Sequence, residues 1–206
     1  MTAARTAHQL NGILTVISGN TELALLEGAA LGDSARHSLE QVLEACRKGR
    51  DLVRELQARS RSEAGSHGSS VPSAEGGSAV PTRANLRPGL RVLLLDDEGP
   101  VARVGASLLE FLECSVCVTN QVQDAFEALG AAEEPFHLAL LDYHLPEMGG
   151  EELVREVRRR APETAVVVAS GACAGLDRER LRALGVRAFL PKPFRAADLA
   201  LLLQGL

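Results

Sequence analysis

The chain has 206 residues and a formal net charge of −5 at pH 7, and 46% of its residues are hydrophobic. This length suits one large or two small domains. No run approaches the ~18 apolar residues of a membrane-spanning helix, and no segment is basic enough to suggest nucleic-acid binding, so both function classes are set aside.

Residues 1–62 carry two amphipathic helical patterns. In residues 1–30, apolar side chains recur at helical spacing and form one stripe, made of Leu10, Ile13, Leu14, Ile17 and Ala24. A second pattern covers residues 34–62. Two such helices joined by a short turn form an α-helical hairpin that cannot close a core alone, so we expect a homodimer that forms a four-helix bundle.

One histidine in the first helix lies off this stripe. His8 precedes Leu10 by two residues, which places it about 200° around a helix of 3.6 residues per turn. The pattern therefore predicts that His8 points away from the stripe, into solvent.

Residues 63–89 are rich in Ser, Gly, Ala and Pro and show no periodicity. This composition predicts a flexible linker with an end-to-end distance of roughly 28 Å.

Residues 90–206 alternate between short apolar runs and helical patterns, which is typical of a parallel sheet with right-handed crossovers. The predicted strands are 91–96, 115–119, 137–142, 165–170 and 187–190. The predicted helices are 99–112, 122–131, 149–160, 176–184 and 195–204. Five of each indicate a doubly wound α/β domain.

Polar side chains follow four of these strands at their carboxyl ends. They are Asp96, Asp97, Asp142, Ser170 and Lys192. Ligands of open α/β sheets bind at this edge, so we expect the five side chains to converge there.

This set of side chains favours phosphoryl chemistry. Three aspartates without a cation would repel one another, and Mg²⁺ prefers such oxygen ligands together with a phosphate. One carboxylate can then act as a nucleophile and form an acyl phosphate, while Lys192 and the Ser170 hydroxyl stabilise the transferred group.

These residues resemble the receiver domain of bacterial two-component response regulators, over residues 90–206. The resemblance implies a flavodoxin-like sheet of strand order 2-1-3-4-5 and a phosphoryl group accepted by Asp142. It implies Mg²⁺ held by Asp96, Asp97, Asp142 and the backbone carbonyl of His144.

The same resemblance assigns three further roles. Ser170 would bond a phosphoryl oxygen, Lys192 would pair with the phosphoryl group, and Phe189 would be the aromatic switch that rotates as Ser170 moves. The family has a cis peptide bond at the position of Lys192–Pro193, which X-Pro bonds tolerate.

The run from His8 to Ile17, HQLNGILTVI, resembles the phosphoacceptor box of histidine kinases, especially hybrid kinases. It implies a dimerisation and histidine-phosphotransfer hairpin over residues 1–62, with His8 as the phosphohistidine. Gln9 stands where the family has an acidic general base, and Gly12 stands where it has the Asn or Thr that positions water. Residues 63–89 hold no ATP-binding domain, so we expect no autonomous kinase activity.

Together these features predict a cytoplasmic phosphorelay protein whose partner is a cognate histidine kinase or phosphotransfer protein. The alternative is an output-less dimeric regulator that acts as a scaffold or phosphate sink, in which His8 is a silent surface histidine. A metal-dependent phosphohydrolase is disfavoured, because it needs a second Asp two residues after Asp142, where His144 stands.

Three other patterns are interpreted structurally. Cys114 and Cys117 have CxxC spacing, but they alternate along a predicted strand and are expected to pack in the core; the absence of a disulfide framework is typical of a reduced protein. Residues 158–160, three arginines, end a helix where cations complement the dipole. The remaining histidines, at positions 37, 67 and 137, lack partners at metal-ligand spacing.

Overall fold

The structure is a computed structural model that describes residues 3–62, 86–171 and 177–205. Most of the predicted linker, His67 and Cys173 therefore lie outside the described residues.

Two long helices come first, α1 (Ala3–Glu27) and α2 (Asp33–Ser62). We call this pair the hairpin. The α/β unit, residues 86–205, contains β1 (Arg91–Leu95), α3 (Gly99–Phe111), β2 (Ser115–Thr119), α4 (Val122–Ala131), β3 (Leu138–Asp142), α5 (Gly150–Arg160), β4 (Ala165–Ser170), α6 (Arg178–Ala183), β5 (Val186–Pro191) and α7 (Ala196–Gln204).

The five strands form one parallel sheet in the order β2-β1-β3-β4-β5, which confirms the predicted topology. In β1 and β3, uninterrupted aliphatic residues suit strands that are covered on both faces. Strand order reverses between β1 and β3, and the carboxyl ends of both strands meet there. A doubly wound sheet opens its ligand-binding crevice at this position.

Helices cover both faces of the sheet. On one face, α3 and α7 bury Leu108, Leu109 and Leu199 against the strands. On the other face, α4, α5 and α6 bury a second set that includes Leu153 and Leu181. Because both faces are packed, the polar strand ends are confined to the rim.

Side-chain capping and a glycine determine where α6 begins and ends. The predicted helix 176–184 is observed as 178–183. Asp177 caps it by accepting a hydrogen bond from the backbone N–H of Arg180 at 2.9 Å. Gly185 follows with a φ of +95°, a conformation that favours glycine and ends the helix.

The hairpin packs against the α/β unit through α1, which lies on α3. Val16, Leu23 and Leu26 are partly buried against the core layer beneath α3 and α7. The predicted apolar stripe is not the face in contact, since Leu10 and Ile13 are 40% and 56% exposed. The hairpin is therefore docked on the α/β unit by its other side.

Within the described residues, no helix is both long enough and apolar enough to cross a membrane.

Candidate functional site

A buried lysine joins two aspartates at the carboxyl edge of the sheet. Nζ of Lys192 lies 2.6 Å from Oδ2 of Asp96 and 2.7 Å from Oδ2 of Asp142. None of the three residues is more than 3% exposed. Asp96 follows β1, Asp142 ends β3 and Lys192 follows β5, so parallel strands that finish at one edge bring the three side chains together.

Backbone amides hold the second oxygen of each aspartate. Oδ1 of Asp96 accepts a hydrogen bond from the N–H of Glu98 at 3.0 Å, and Oδ1 of Asp142 accepts one from the N–H of His144 at 3.2 Å. Both carboxylates are therefore fixed at both oxygens, which limits their rotation.

The three charges shift one another's pKa values. Burial raises the pKa of Asp96 to about 6 against the opposing charge of Lys192, and the charge of Asp142 adds to the rise. Burial also acts to raise the pKa of Asp142, but Lys192 and the His144 amide outweigh it and hold that pKa below its ordinary value. Burial opposes the charge on Lys192, yet the two carboxylates raise its pKa. Asp142 is therefore the more strongly ionised of the two aspartates.

Asp97 is exposed at the mouth of the site. Partial burial and the nearby charge of Asp142 raise its pKa. A divalent cation beside Asp97, Asp142 and Asp96 would relieve this repulsion, and the hard oxygen donors are those that Mg²⁺ prefers. The side chains present thus fit the metal ion that the sequence predicts.

His8 lies at this same edge, which corrects the expectation that it faces solvent. Its Nε2 is 2.9 Å from Oε1 of Glu98, and its side chain is only 19% exposed. Its ring centroid lies 5.5 Å from that of His144. One ligand atom each from His8, Asp97 and Asp142 lie within 4.8 Å of one another. Helical periodicity predicts that His8 points away from the apolar stripe, but it does not predict that the α/β unit packs on that side of α1.

Small and polar residues allow α1 to approach so closely. A Cβ atom on Gly12 would collide with the carboxylate of Glu98, and one on Gly19 would collide with Val104 of α3. Gly12, which departs from the histidine-kinase pattern, therefore makes room for the carboxylate that holds His8.

Two hydrogen bonds fix the docked helix at points far apart along α1. The side-chain amide of Asn11 donates to the carbonyl oxygen of Gly171 at 2.5 Å. Near the other end, a carboxylate oxygen of Glu22 accepts a hydrogen bond from the N–H of Ala196 at 3.1 Å. The first bond lies next to Ser170 and the second caps the start of α7.

Ser170 and Phe189 lie where the sequence predicts them. Ser170 ends β4, is buried, and its carbonyl accepts a hydrogen bond from the N–H of Lys192 at 2.9 Å. Phe189 is half-buried in β5, with the guanidinium groups of Arg178 and Arg182 at 5.1 and 5.8 Å from its ring centroid. The Lys192–Pro193 peptide bond is cis.

Three residues of this region were missed by sequence reasoning. They are Asn11, Glu22 and Glu98. A signal was present, because Asn11, Gly12, Thr15, Ser18, Gly19 and Glu22 recur on one face of α1, away from the apolar stripe. The residues of that face are polar or small. Periodicity identifies a buried helix face by its apolar residues, so it does not detect this one.

The other patterns have structural roles. Cys114 is buried and Cys117 half-buried, and neither forms a disulfide; burial raises the pKa of the Cys114 thiol to about 11. Arg159 and Arg160 pair with Glu156 in the last turns of α5.

Two known domain families match the chain. A sequence model of the response regulator receiver domain matches residues 92–204, more than half of the chain. A model of the His Kinase A (phospho-acceptor) domain matches residues 2–65. Both kinds of domain belong to two-component signalling systems.

Individual relatives match about half of the chain. The cell cycle response regulator CtrA of Brucella ovis is 30% identical over 112 residues, which are 53% of this chain and 47% of that regulator. This chain thus spans about half the length of that curated relative.

Solved structures share the fold. A CheY-like receiver domain protein from Methanospirillum hungatei JF-1 has a TM-score of 0.52 at 24% identity, covering 57% of this chain and 92% of that chain. A response regulator from Burkholderia pseudomallei, solved with a phosphorylated aspartic acid, calcium ion and citrate, has a TM-score of 0.50 at 23% identity, covering 55% of this chain and 65% of that chain. With its 2-1-3-4-5 sheet and its match over residues 92–204, the chain belongs to the response regulator receiver domain family.

Proposed function

We propose that this protein is a two-component phosphorelay component in which Asp142 accepts a phosphoryl group and exchanges it with His8. The observation that carries the proposal is the position of His8, whose ligand atom lies within 4.8 Å of a carboxylate oxygen of Asp142. Reacting atoms in a productive complex approach to ~3–3.5 Å, and two groups this close to each other can both reach one phosphorus atom.

In the transfer, a carboxylate oxygen of Asp142 attacks the phosphorus of a phosphohistidine. An O–P bond forms as the P–N bond breaks, and the bonding electron pair returns to the imidazole nitrogen. The low pKa of Asp142 keeps this nucleophile ionised. Lys192, 2.7 Å from Asp142, is placed to balance the charge that accumulates on the phosphoryl oxygens.

The proposed metal ion is Mg²⁺, with ligands from Asp96, Asp97, Asp142 and the backbone carbonyl of His144. When bound, it would neutralise phosphoryl charge and orient the group for in-line transfer. Support comes from the convergence of Asp96 and Asp97 on Asp142, since burial and the charge of Asp142 raise the pKa values of both. The Burkholderia pseudomallei relative carries both a phosphorylated aspartic acid and a calcium ion.

We assign Ser170 to bond a phosphoryl oxygen and Phe189 to report that contact by rotating. Ser170 ends β4 and is buried. Phe189 lies in β5, the strand next to β4, three residues before Lys192. The two arginines over the Phe189 ring would have to move with it.

We divide the chain into a dimerisation and phosphotransfer hairpin (1–62), a flexible linker (63–89) and a receiver domain (90–206). The exposed stripe of Leu10, Ile13 and Ile17 supports a homodimer. It lies on the side of α1 that faces away from the receiver domain, so a four-helix bundle can form without displacing that domain. The implied partner is a cognate histidine kinase or phosphotransfer protein.

Autonomous kinase activity is not part of the proposal. Gln9 accepts a proton poorly compared with the acidic residue that the kinase family has there. The alternative of a silent hairpin on a scaffold or phosphate sink predicts that His8 is dispensable for phosphoryl flow.

Phosphotransfer profiling tests the proposal. Wild-type protein, Asp142→Ala and His8→Gln are incubated with labelled ATP and Mg²⁺, alone and with candidate histidine kinases. We expect no label without a kinase, and label that depends on Asp142 with one. Acid-labile label in the wild type that is absent from both His8→Gln and Asp142→Ala would establish exchange between the two residues.

Two outcomes would contradict this account. Label from ATP alone would show that the chain is itself a kinase. Unchanged phosphoryl flow in His8→Gln would favour the scaffold alternative.

A further inference from the structure

The imidazole of His8 has one engaged nitrogen and one that is available. Nε2 lies 2.9 Å from Oε1 of Glu98. An ionised carboxylate only accepts hydrogen bonds, so Nε2 carries a proton, and in the neutral form of the ring Nδ1 keeps a lone pair. Nδ1 is buried, and it has no hydrogen-bond partner among the residues that the structure describes. A buried lone pair without a partner is costly unless something binds it.

Two carboxylates lie within ligand range of this ring. One carboxylate oxygen of Asp97, one of Asp142 and one nitrogen of His8 all lie within 4.8 Å of one another. Lys192 contacts Oδ2 of Asp142, whereas Oδ1 accepts one backbone amide and keeps a second lone pair.

The contact with Glu98 resembles the outer sphere of a metal site. A histidine that binds a metal through one nitrogen usually donates its other N–H to a carboxylate, which fixes the tautomer and the ring orientation. Glu98 stands in that position, and Gly12 has no side chain to obstruct it.

We propose that His8, Asp97 and Asp142 form a site for a divalent transition-metal ion, in which the hairpin supplies a nitrogen ligand to the carboxylates of the receiver domain. This rests on the metal site of the proposed function and extends its ligands beyond that domain. Mg²⁺ is a hard ion that favours oxygen, whereas imidazole favours transition metals. The ligand set therefore favours a transition-metal ion over Mg²⁺ when the imidazole of His8 is itself a ligand.

The site would also act as a clamp. A metal ion held from both sides joins α1 to the carboxyl edge of the sheet, and its ligation occupies the imidazole of His8. Metal-bound His8 cannot accept a phosphoryl group at the same nitrogen, so transition-metal binding and phosphorelay would be alternative states of one site.

Pulsed electron paramagnetic resonance with Mn²⁺ tests the inference on the full chain. Mn²⁺ is paramagnetic, and a coordinated imidazole gives a nitrogen modulation that oxygen ligands do not. We expect this modulation in the wild type and in His37→Gln, a control at an exposed histidine of α2. We expect its loss in His8→Gln, together with at least about tenfold weaker Mn²⁺ binding, because loss of an outer-sphere partner alone costs ~10–100-fold.

The outcomes separate the two proposals. Mn²⁺ that binds without nitrogen modulation would overturn the inference and leave the receiver metal site intact. A modulation that survives His8→Gln but disappears in His144→Gln would show that the nitrogen ligand comes from His144, which would also overturn the inference. No Mn²⁺ binding in any variant would contradict the metal site of the proposed function as well.

Discussion

At the scale of single residues, Lys192 is the side chain on which the site depends. It is buried with its Nζ within 2.7 Å of two buried carboxylates. Removing one partner of a buried ion pair leaves uncompensated charge, which costs far more than the pair contributes. The aspartates can be held together only because Lys192, or a metal ion, lies between them.

Lys192→Met should therefore lower the free energy of unfolding by about 3–5 kcal/mol in metal-free buffer at neutral pH. Mg²⁺ should raise the denaturation midpoint more in this variant than in the wild type, because the ion replaces the missing charge. Lys48→Met is the matched control, since Lys48 is exposed and its contact with Glu44 is long at 3.7 Å. Equal stability of the two variants would refute this role for Lys192.

The raised pKa of Asp96 makes a second prediction at this scale. The folded protein binds a proton at Asp96 below about pH 6, whereas the ordinary value is 3.8. Proton binding at Asp96 therefore stabilises the folded protein. This stabilisation is complete below the ordinary pKa of 3.8 and is lost as pH rises through 6, at up to ~1.4 kcal/mol per pH unit.

Urea denaturation in EDTA at pH 5 and pH 7.5 measures this effect. The wild type should lose more stability than Asp96→Asn between pH 5 and pH 7.5, because the variant has no group to titrate. An identical change in both proteins would show that Asp96 is ionised across the range.

At the scale of elements, α1 uses two of its faces for different contacts. Leu10, Ile13 and Ile17 of the apolar stripe are exposed, and the small and polar face lies on α3. Amphipathic pattern predicted the helix and its stripe, because apolar periodicity reports where a helix is most hydrophobic. It could not predict the docking, because the face that docks is small and polar, and apolar periodicity does not mark such a face.

Gly19→Val should undock the hairpin, since any Cβ at this position meets Val104. The N–H of Ala196 reports the change, because its partner is Glu22 of α1. Hydrogen exchange at Ala196 should become faster in Gly19→Val and stay unchanged in Asn20→Val, which places the same side chain on an exposed position of α1. Unchanged exchange in both would argue against the docked arrangement.

At the scale of the whole molecule, the receiver domain was largely predictable from sequence. Parallel strands covered on both faces must be continuous apolar runs, so β1, β3 and β4 were located together with the polar residues that end them. The arrangement of hairpin and receiver domain was not predictable. It depends on fit between surfaces that lie far apart in the chain.

The same arrangement leaves the exposed apolar stripe available for the proposed dimer, which gives a prediction for assembly. Ile13→Glu should make the protein a monomer in sedimentation experiments where the wild type sediments as the proposed homodimer, because Ile13 is 56% exposed at the centre of the stripe. Leu201→Glu, at a comparably exposed residue of α7, should remain dimeric. Dissociation by the second substitution alone would place the dimer interface on the receiver domain.

The proposed function requires that Asp142 accepts a phosphoryl group and exchanges it with His8. The most direct measurement labels the protein with radioactive acetyl phosphate and Mg²⁺, removes the donor and follows the chemical stability of the label. We predict base-labile label that is lost in Asp142→Ala, and an acid-labile fraction in the wild type that is lost in His8→Gln. Label that persists in Asp142→Ala with unchanged base lability, or a wild type that takes up none, would contradict the account.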